Sequence, residues 1–210
     1  MSFAAAVIAL ALQGAPASAP AQQQWTPAEA DYIARDFEFR SGERLGEVRI
    51  HYQTLGRPHR DRRGRIDNAV LLLHGTGGSG RQFLAPQFAN ELFGRGQPLD
   101  VERYYVIMPD NIGHGRSSKP SDGLHMRFPH YDYDDMVALQ HQMLSNGLSV
   151  RRLRLILGTS MGCMHAFVWG ETYPDFARAL MPLACEPIEI AGLNRMWRQA
   201  IIDNIQQDPA

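Results

Sequence analysis

The chain has 210 residues, of which 44% are hydrophobic and 20% charged, enough for one domain with a sizeable core. Its 21 basic and 22 acidic residues leave a formal net charge of −1, which argues against a nucleic-acid or anionic-membrane partner. Two cysteines, Cys163 and Cys185, do not make a metal-ligand spacing, so neither a metal nor a bound cofactor is expected.

From the N-terminus, Phe3 to Leu12 is an uninterrupted apolar run followed by the small-residue segment Gly14 to Ala21. The run is too short to span a bilayer but fits a signal-peptide core, with Ala19-Pro20-Ala21 before Gln22 as a cleavage site. Residues 1–21 therefore read as an export signal, and the protein as periplasmic or secreted. No Lys or Arg precedes the run, which leaves a cytoplasmic protein with an alanine-rich leader as the alternative. Asp36-Phe37-Glu38-Phe39 and Glu47-Val48-Arg49-Ile50-His51-Tyr52 then alternate polar and apolar residues, as half-exposed antiparallel strands do. They predict a hairpin turned at Ser41-Gly42. The basic stretch Arg57 to Arg65, broken by Pro58, Asp61 and Gly64, reads as a solvated loop.

The next strands differ in character. Ala69 to Leu73, Tyr104 to Met108, Leu153 to Leu157 and Ala179 to Leu183 are short and nearly all apolar, as strands buried on both faces of a parallel sheet are. Helix-competent segments lie between them at Arg81 to Phe93, Tyr133 to Asn146 and Met161 to Thr172. This alternation predicts an α/β fold: a mostly parallel, doubly wound sheet with an N-terminal antiparallel hairpin. Asp132, Asp134 and Asp135 fall at the start of the second helix, where capping and the helix dipole explain them better than a metal cluster. The last segment, Ile188 to Asp208, reads as a helix carrying Trp197, Ile201, Ile202 and Ile205.

Three strand ends carry motifs: His74-Gly75-Thr76-Gly77-Gly78-Ser79-Gly80, Asp110-Asn111-Ile112-Gly113-His114-Gly115-Arg116-Ser117-Ser118, and Gly158-Thr159-Ser160-Met161-Gly162. The first lacks the Lys-Ser/Thr ending of a phosphate loop and contains no dinucleotide fingerprint. The third has the strand, tight turn and helix context of a nucleophile elbow, which makes Ser160 a candidate nucleophile. A serine at such a tip needs small residues two before and two after it, and Gly158 and Gly162 stand there. The helix that follows aims backbone N–H groups, Met161 N–H among them, at a developing oxyanion.

These motifs in this order, with Ser117-Ser118-Lys119-Pro120, Met181-Pro182-Leu183 and Asn194-Arg195-Met196-Trp197, resemble the homoserine O-acetyltransferase-like branch of the α/β-hydrolase superfamily. The resemblance runs from about Phe37 to the C-terminus. It implies a Ser-His-Asp acyl-transfer enzyme that acts on a small-molecule ester or acyl substrate through a covalent intermediate on Ser160. The Thr76 N–H is then the second oxyanion donor. In such chains the acid and base follow the nucleophile, which argues against His114 as the base although histidine titrates near neutral pH. His165, the only histidine after Ser160, sits five residues along a helix leading away from the serine and reads as a packed residue. Only 50 residues follow Ser160, so the chain is expected to be the N-terminal portion of such an enzyme: core at 22–187, start of a helical lid at 188–210, and no triad Asp or His.

Two departures bear on specificity. Thr159 and Cys163 replace two glycines of the transferases' usual Gly-Gly-Ser-Met-Gly-Gly, and His74-Gly75-Thr76-Gly77-Gly78 stands in place of His-Ala-Leu-Thr-Gly. They weaken an assignment to methionine biosynthesis and leave acyl-enzyme chemistry intact. An exported protein would also lack cytosolic acetyl-CoA, so an esterase-like serine hydrolase is the leading expectation. An acyl-CoA-dependent O-acyltransferase and a non-catalytic fragment or pseudoenzyme are the alternatives. The cysteines are expected to be buried free thiols, with a bridge as the alternative in an oxidising compartment.

Overall fold

The computed structural model describes residues 25–208; the expected export signal at 1–21 lies outside them. Six strands form one sheet: β1 (Ala28–Glu38), β2 (Arg44–Leu55), β3 (Ala69–Leu73), β4 (Tyr105–Pro109), β5 (Leu155–Thr159) and β6 (Leu180–Leu183), in the spatial order β1-β2-β4-β3-β5-β6. β1 and β2 make the expected antiparallel hairpin, and β2 joins the rest antiparallel to β4. β3, β4, β5 and β6 are parallel, as their continuous apolar sequences require. The Arg57–Arg65 stretch is a largely exposed loop between β2 and β3, turned about Asp61, which accepts from the Arg63 and Arg65 N–H groups.

Alternate residues of the central strands feed two cores. Leu71, Leu73 and Ile107 pack on one face with Met136, Leu139, Ala166 and Trp169 of the helices α2 (Tyr133–Gln142) and α3 (Met161–Thr172). Val70, Leu72, Val106 and Met108 pack on the other with Phe83, Ala89 and Phe93, around the helix α1 (Pro86–Leu92). The side-chain period of two along each strand is what lets one apolar strand serve both layers.

Several boundaries differ from the sequence expectation. The segment Arg81 to Phe93 is not one helix: a 3₁₀ turn at Gly80–Leu84 ends at Ala85, whose ψ of 140° is extended, and α1 starts at Pro86. A residue before proline is driven out of the helical region, and that breaks the segment. The helix predicted at Tyr133 to Asn146 is α-helical only to Gln142 and closes in a π-helical turn at Met143–Gly147. Its start is as expected: Asp132 accepts from the Asp134 and Asp135 N–H groups, and the Asp135 carboxylate accepts from the Asp132 N–H. The last helix, α4 (Gly192–Gln207), begins four residues later than Ile188 and has no buried residue. No helix among the described residues is long and apolar enough to cross a membrane.

The cysteines are paired. Cys163, in the first turn of α3, and Cys185, just after β6, form a disulfide with Cα atoms 6.0 Å apart, which corrects the expectation of free thiols. The pairing follows from sheet register: Thr159 of β5 lies level with Leu183 of β6, and the Ser160 N–H donates to the Leu183 carbonyl at 2.9 Å. The chain leaving β6 is thereby delivered beside the first turn of α3.

Candidate active site

Ser160 stands between the last residue of β5 and the first of α3, exposed to solvent. Its backbone is at φ 53° and ψ −112°, a conformation costly for any residue with a Cβ and held here by the strand before it and the helix after it. The flanking glycines are sterically required. A Cβ on Gly158 would lie 1.9 Å from the Gly162 carbonyl oxygen, and one on Gly162 would lie 2.1 Å from the Leu73 carbonyl oxygen. Elbow, helix start and the end of β3 are thus packed backbone against backbone.

The glycine-rich loop after β3 lies against the serine. A Cβ on Gly75 would be 3.3 Å from Ser160 Cβ, so the loop crosses the elbow at van der Waals distance. Thr76, exposed, follows directly. Among the described residues neither the Thr76 nor the Met161 N–H has a hydrogen-bond partner, and Met161 is the first residue of α3. The structure therefore brings together Ser160, Met161, Gly158, Gly162 and the loop bearing Thr76.

Buried polar side chains hold this arrangement from behind. His74 is fully buried; its Nδ1 lies 2.8 Å from the Gly75 carbonyl and its Nε2 accepts from the Asn111 N–H at 3.0 Å. These partners fix the tautomer with the proton on Nδ1, and burial holds the ring's pKa below its ordinary value. Asn111 Oδ1 accepts from Gln140 Nε2 at 2.6 Å, and Gln140 Oε1 accepts from the Trp169 indole at 2.7 Å. Gln140 Nε2 also lies 3.3 Å from His165 Nδ1. The chain His74, Asn111, Gln140, with His165 and Trp169, ties β3, β4, α2 and α3 into one unit beneath the elbow.

Neither candidate histidine serves Ser160. His165 is fully buried, and desolvation first, then the neighbouring His74 and His114, push its pKa down to about 3. It is the packed residue expected from its place in the helix. His114 Nδ1 lies 3.1 Å from the Ile112 carbonyl, and its ring meets His74 edge-on at 5.2 Å. Among the described residues no imidazole or carboxylate hydrogen-bonds to the Ser160 hydroxyl. The loop carrying His114 is built around Asp110, whose carboxylate accepts from the Gly80 and Arg116 N–H groups at 2.8 Å each. A Cβ on Gly115 would fall 2.1 Å from that carboxylate. The motif is explained by backbone architecture.

Sequence reasoning missed Gln82. It lies in the 3₁₀ turn after the glycine-rich loop, and its amide contacts both Gly75 N–H, at 3.1 Å, and Thr159 Oγ1, at 2.9 Å. Glutamine in a helix-competent segment carries no functional signal, and only the packing of loop on elbow shows what it touches.

Known proteins resemble this chain in sequence and in fold. A probable acyltransferase of Methanothermobacter thermautotrophicus is 33% identical over 175 residues, covering 83% of this chain and 53% of that protein. The homoserine O-acetyltransferase of Solidesulfovibrio magneticus is 33% identical over 196 residues, covering 85% of this chain and 47% of that protein. The chain thus spans about half the length of these relatives. Among solved structures, the acetyl esterase MekB superposes with a TM-score of 0.72 at 22% identity, over 87% of this chain and 51% of that one. Homoserine O-acetyltransferase from Bacillus anthracis gives 0.61 at 23% identity, over 74% of this chain and 46% of that one. At such identities the superpositions speak for the fold alone. The family profile described as alpha/beta hydrolase fold matches residues 68–208, and with β3 to β6, the glycine-rich loop and the Ser160 elbow inside that range, the chain belongs to the alpha/beta hydrolase fold family and is similar, within it, to the homoserine O-acetyltransferases.

Proposed function

We propose that this chain is the nucleophile-bearing part of an exported, esterase-like serine hydrolase that works through an acyl-enzyme on Ser160. The observation that carries the reading is the placement of Ser160 at φ 53° on a solvent-exposed tip, with the Gly75 loop against it. In the proposed reaction Ser160 Oγ attacks the acyl carbonyl carbon and loses its proton to a general base. The tetrahedral oxyanion is met by the unpartnered Met161 and Thr76 N–H groups. Collapse breaks the ester C–O bond, the alcohol leaves with a proton, and water then cleaves the acyl-enzyme to the acid and free serine. The base and its acid partner are proposed to come from sequence outside this chain, since the relatives are about twice as long.

The Cys163–Cys185 bridge supports water as the acceptor. Disulfides persist in oxidising compartments, where an exported protein would not meet the cytosolic acyl-CoA pool. The second reading, an acyl-CoA-dependent O-acyltransferase in which an alcohol resolves the same intermediate, is favoured by the homoserine O-acetyltransferases among the relatives. Both predict rapid phosphonate labelling at Ser160 of the full-length protein and its loss in Ser160→Ala. They part on the acceptor: CoA-independent turnover of p-nitrophenyl acetate is expected, and CoA-dependent acetylation of homoserine would replace the hydrolase reading. Export is expected to show as a mature N-terminus at Gln22, and an intact Met1 on the native protein would refute it.

A further inference from the structure

An oxyanion site made from a helix start and a glycine-rich loop has one rigid half and one soft half. Met161 N–H is fixed by α3, but Thr76 lies between Gly75 and the pair Gly77-Gly78, where glycine leaves the backbone freer than a helix does. A donor that wanders by about 1 Å forfeits much of its effect on rate. Something must hold the loop at a set distance from the elbow.

We propose that Gln82 is the positioning residue that does so, by spanning from the loop to the residue before the nucleophile. Its Oε1 accepts the Gly75 N–H at 3.1 Å and its Nε2 donates to Thr159 Oγ1 at 2.9 Å. The amide's orientation is forced, because a backbone N–H can only donate and so requires Oε1 on the Gly75 side. Gly75 and Thr159 each adjoin one of the proposed catalytic groups, Thr76 and Ser160. The loop is shaped to admit this bridge: a Cβ on Gly78 would lie 3.0 Å from Gln82 Oε1. Gln82 and Thr159 are both half-buried, so water competes weakly for the two bonds. Thr159, one of the chain's departures from the transferase elbow, thereby has a use that glycine could not supply.

The assignment rests on Ser160 being the nucleophile, and the test separates the two. In the full-length enzyme, Gln82→Ala and Thr159→Val are each expected to lower kcat for p-nitrophenyl acetate, and the rate of phosphonate labelling, by about 10- to 100-fold. KM should change by less than about threefold, because the bridge positions a donor to the transition-state oxyanion and does not itself touch the substrate. Thr159→Ser keeps the acceptor oxygen and should restore near-normal turnover. The double variant should be no slower than Gln82→Ala, since both remove one bridge. Should Gln82→Ala fail to fold, the near-isosteric Thr159→Val carries the test. If Ser160→Ala is inactive while both single variants keep kcat within twofold, the Gln82 assignment is overturned alone. If Ser160→Ala keeps turnover, the nucleophile reading falls, and the Gln82 assignment falls with it.

Discussion

The centre and one edge of the parallel sheet make a contrast. Around β3 and β5 every apolar side chain is covered or nearly so, and the polar groups beneath the elbow are chained through His74, Asn111, Gln140 and Trp169. From β6 onward the chain also carries many large apolar side chains, yet Leu180, Met181, Leu183, Leu193, Met196, Trp197, Ile201, Ile202 and Ile205 are all exposed. The first region is held by burial and backbone packing. The second is joined to β5 by one parallel ladder and to α3 by the packing of β6 and by one disulfide. The same apolar residue types therefore contribute very differently to stability, according to whether a second layer covers them.

Glycine substitutions probe the contrast with the largest effect. Gly162→Ala would put a Cβ 2.1 Å from the Leu73 carbonyl oxygen, where neither β3 nor α3 can yield, and is expected to cost about 4 kcal/mol or to abolish soluble expression. Gly192→Ala, at the start of α4, has open space around it and φ 61°, so only the left-handed strain of roughly 1 kcal/mol is expected. Chemical denaturation of both variants measures the difference. Equal costs would mean that the elbow is not the rigid unit described here.

Reducing the disulfide comes next. It spans 22 residues, and the entropy of closing such a loop corresponds to roughly 3 kcal/mol in the chain-entropy account. Loss of the bridge should raise hydrogen exchange in residues 184–207 before it does so in β3 or β5, because the fastening holds the exposed region to the core. Uniform loosening of the whole sheet on adding reductant would contradict that picture.

Much of this division was legible in the sequence, and the physics says which parts. The buried strands and α3 announced themselves because a strand covered on both faces can only be continuously apolar, and the elbow because steric need fixes glycines at 158 and 162. The start of β1 was not legible: Ala28 to Arg35 is rich in alanine and charge, and only pairing with β2 makes it a strand. The break at Ala85 is legible in Pro86, since a residue before proline is driven out of the helical region. The Cys163–Cys185 bridge and the Gln82 bridge could not be read, since each depends on register and loop packing between residues far apart in sequence.

pH gives a smaller and graded effect on the core. His165 is neutral in the native state with its pKa at about 3, whereas the unfolded chain takes up that proton near the ordinary value of about 6.5. Between those two values the unfolded state binds more protons, so stability is full above about 6.5 and falls as pH drops toward 3, by roughly 1 kcal/mol per pH unit. Burial lowers the His74 pKa as well, which adds in the same direction. His165→Gln should flatten the decline in Tm between pH 6.5 and pH 4.5, and an unchanged slope would show that His165 is not its source.

The smallest effect is expected on α4. Trp197 is 63% exposed and Trp169 of α3 is 1% exposed, so the same residue type samples both regions. Trp169→Ala removes a buried ring and strands the Gln140 carbonyl, for which about 3 to 5 kcal/mol is expected. Trp197→Ser in the 210-residue chain should change stability by less than about 0.5 kcal/mol, since water already covers most of the ring. The same substitution in the longer protein proposed above reads the environment of α4 directly. A cost above about 2 kcal/mol there, with none in the 210-residue chain, would mean that α4 gains its second layer from the rest of the protein, and the contrast between the two regions would then belong to the 210-residue chain alone.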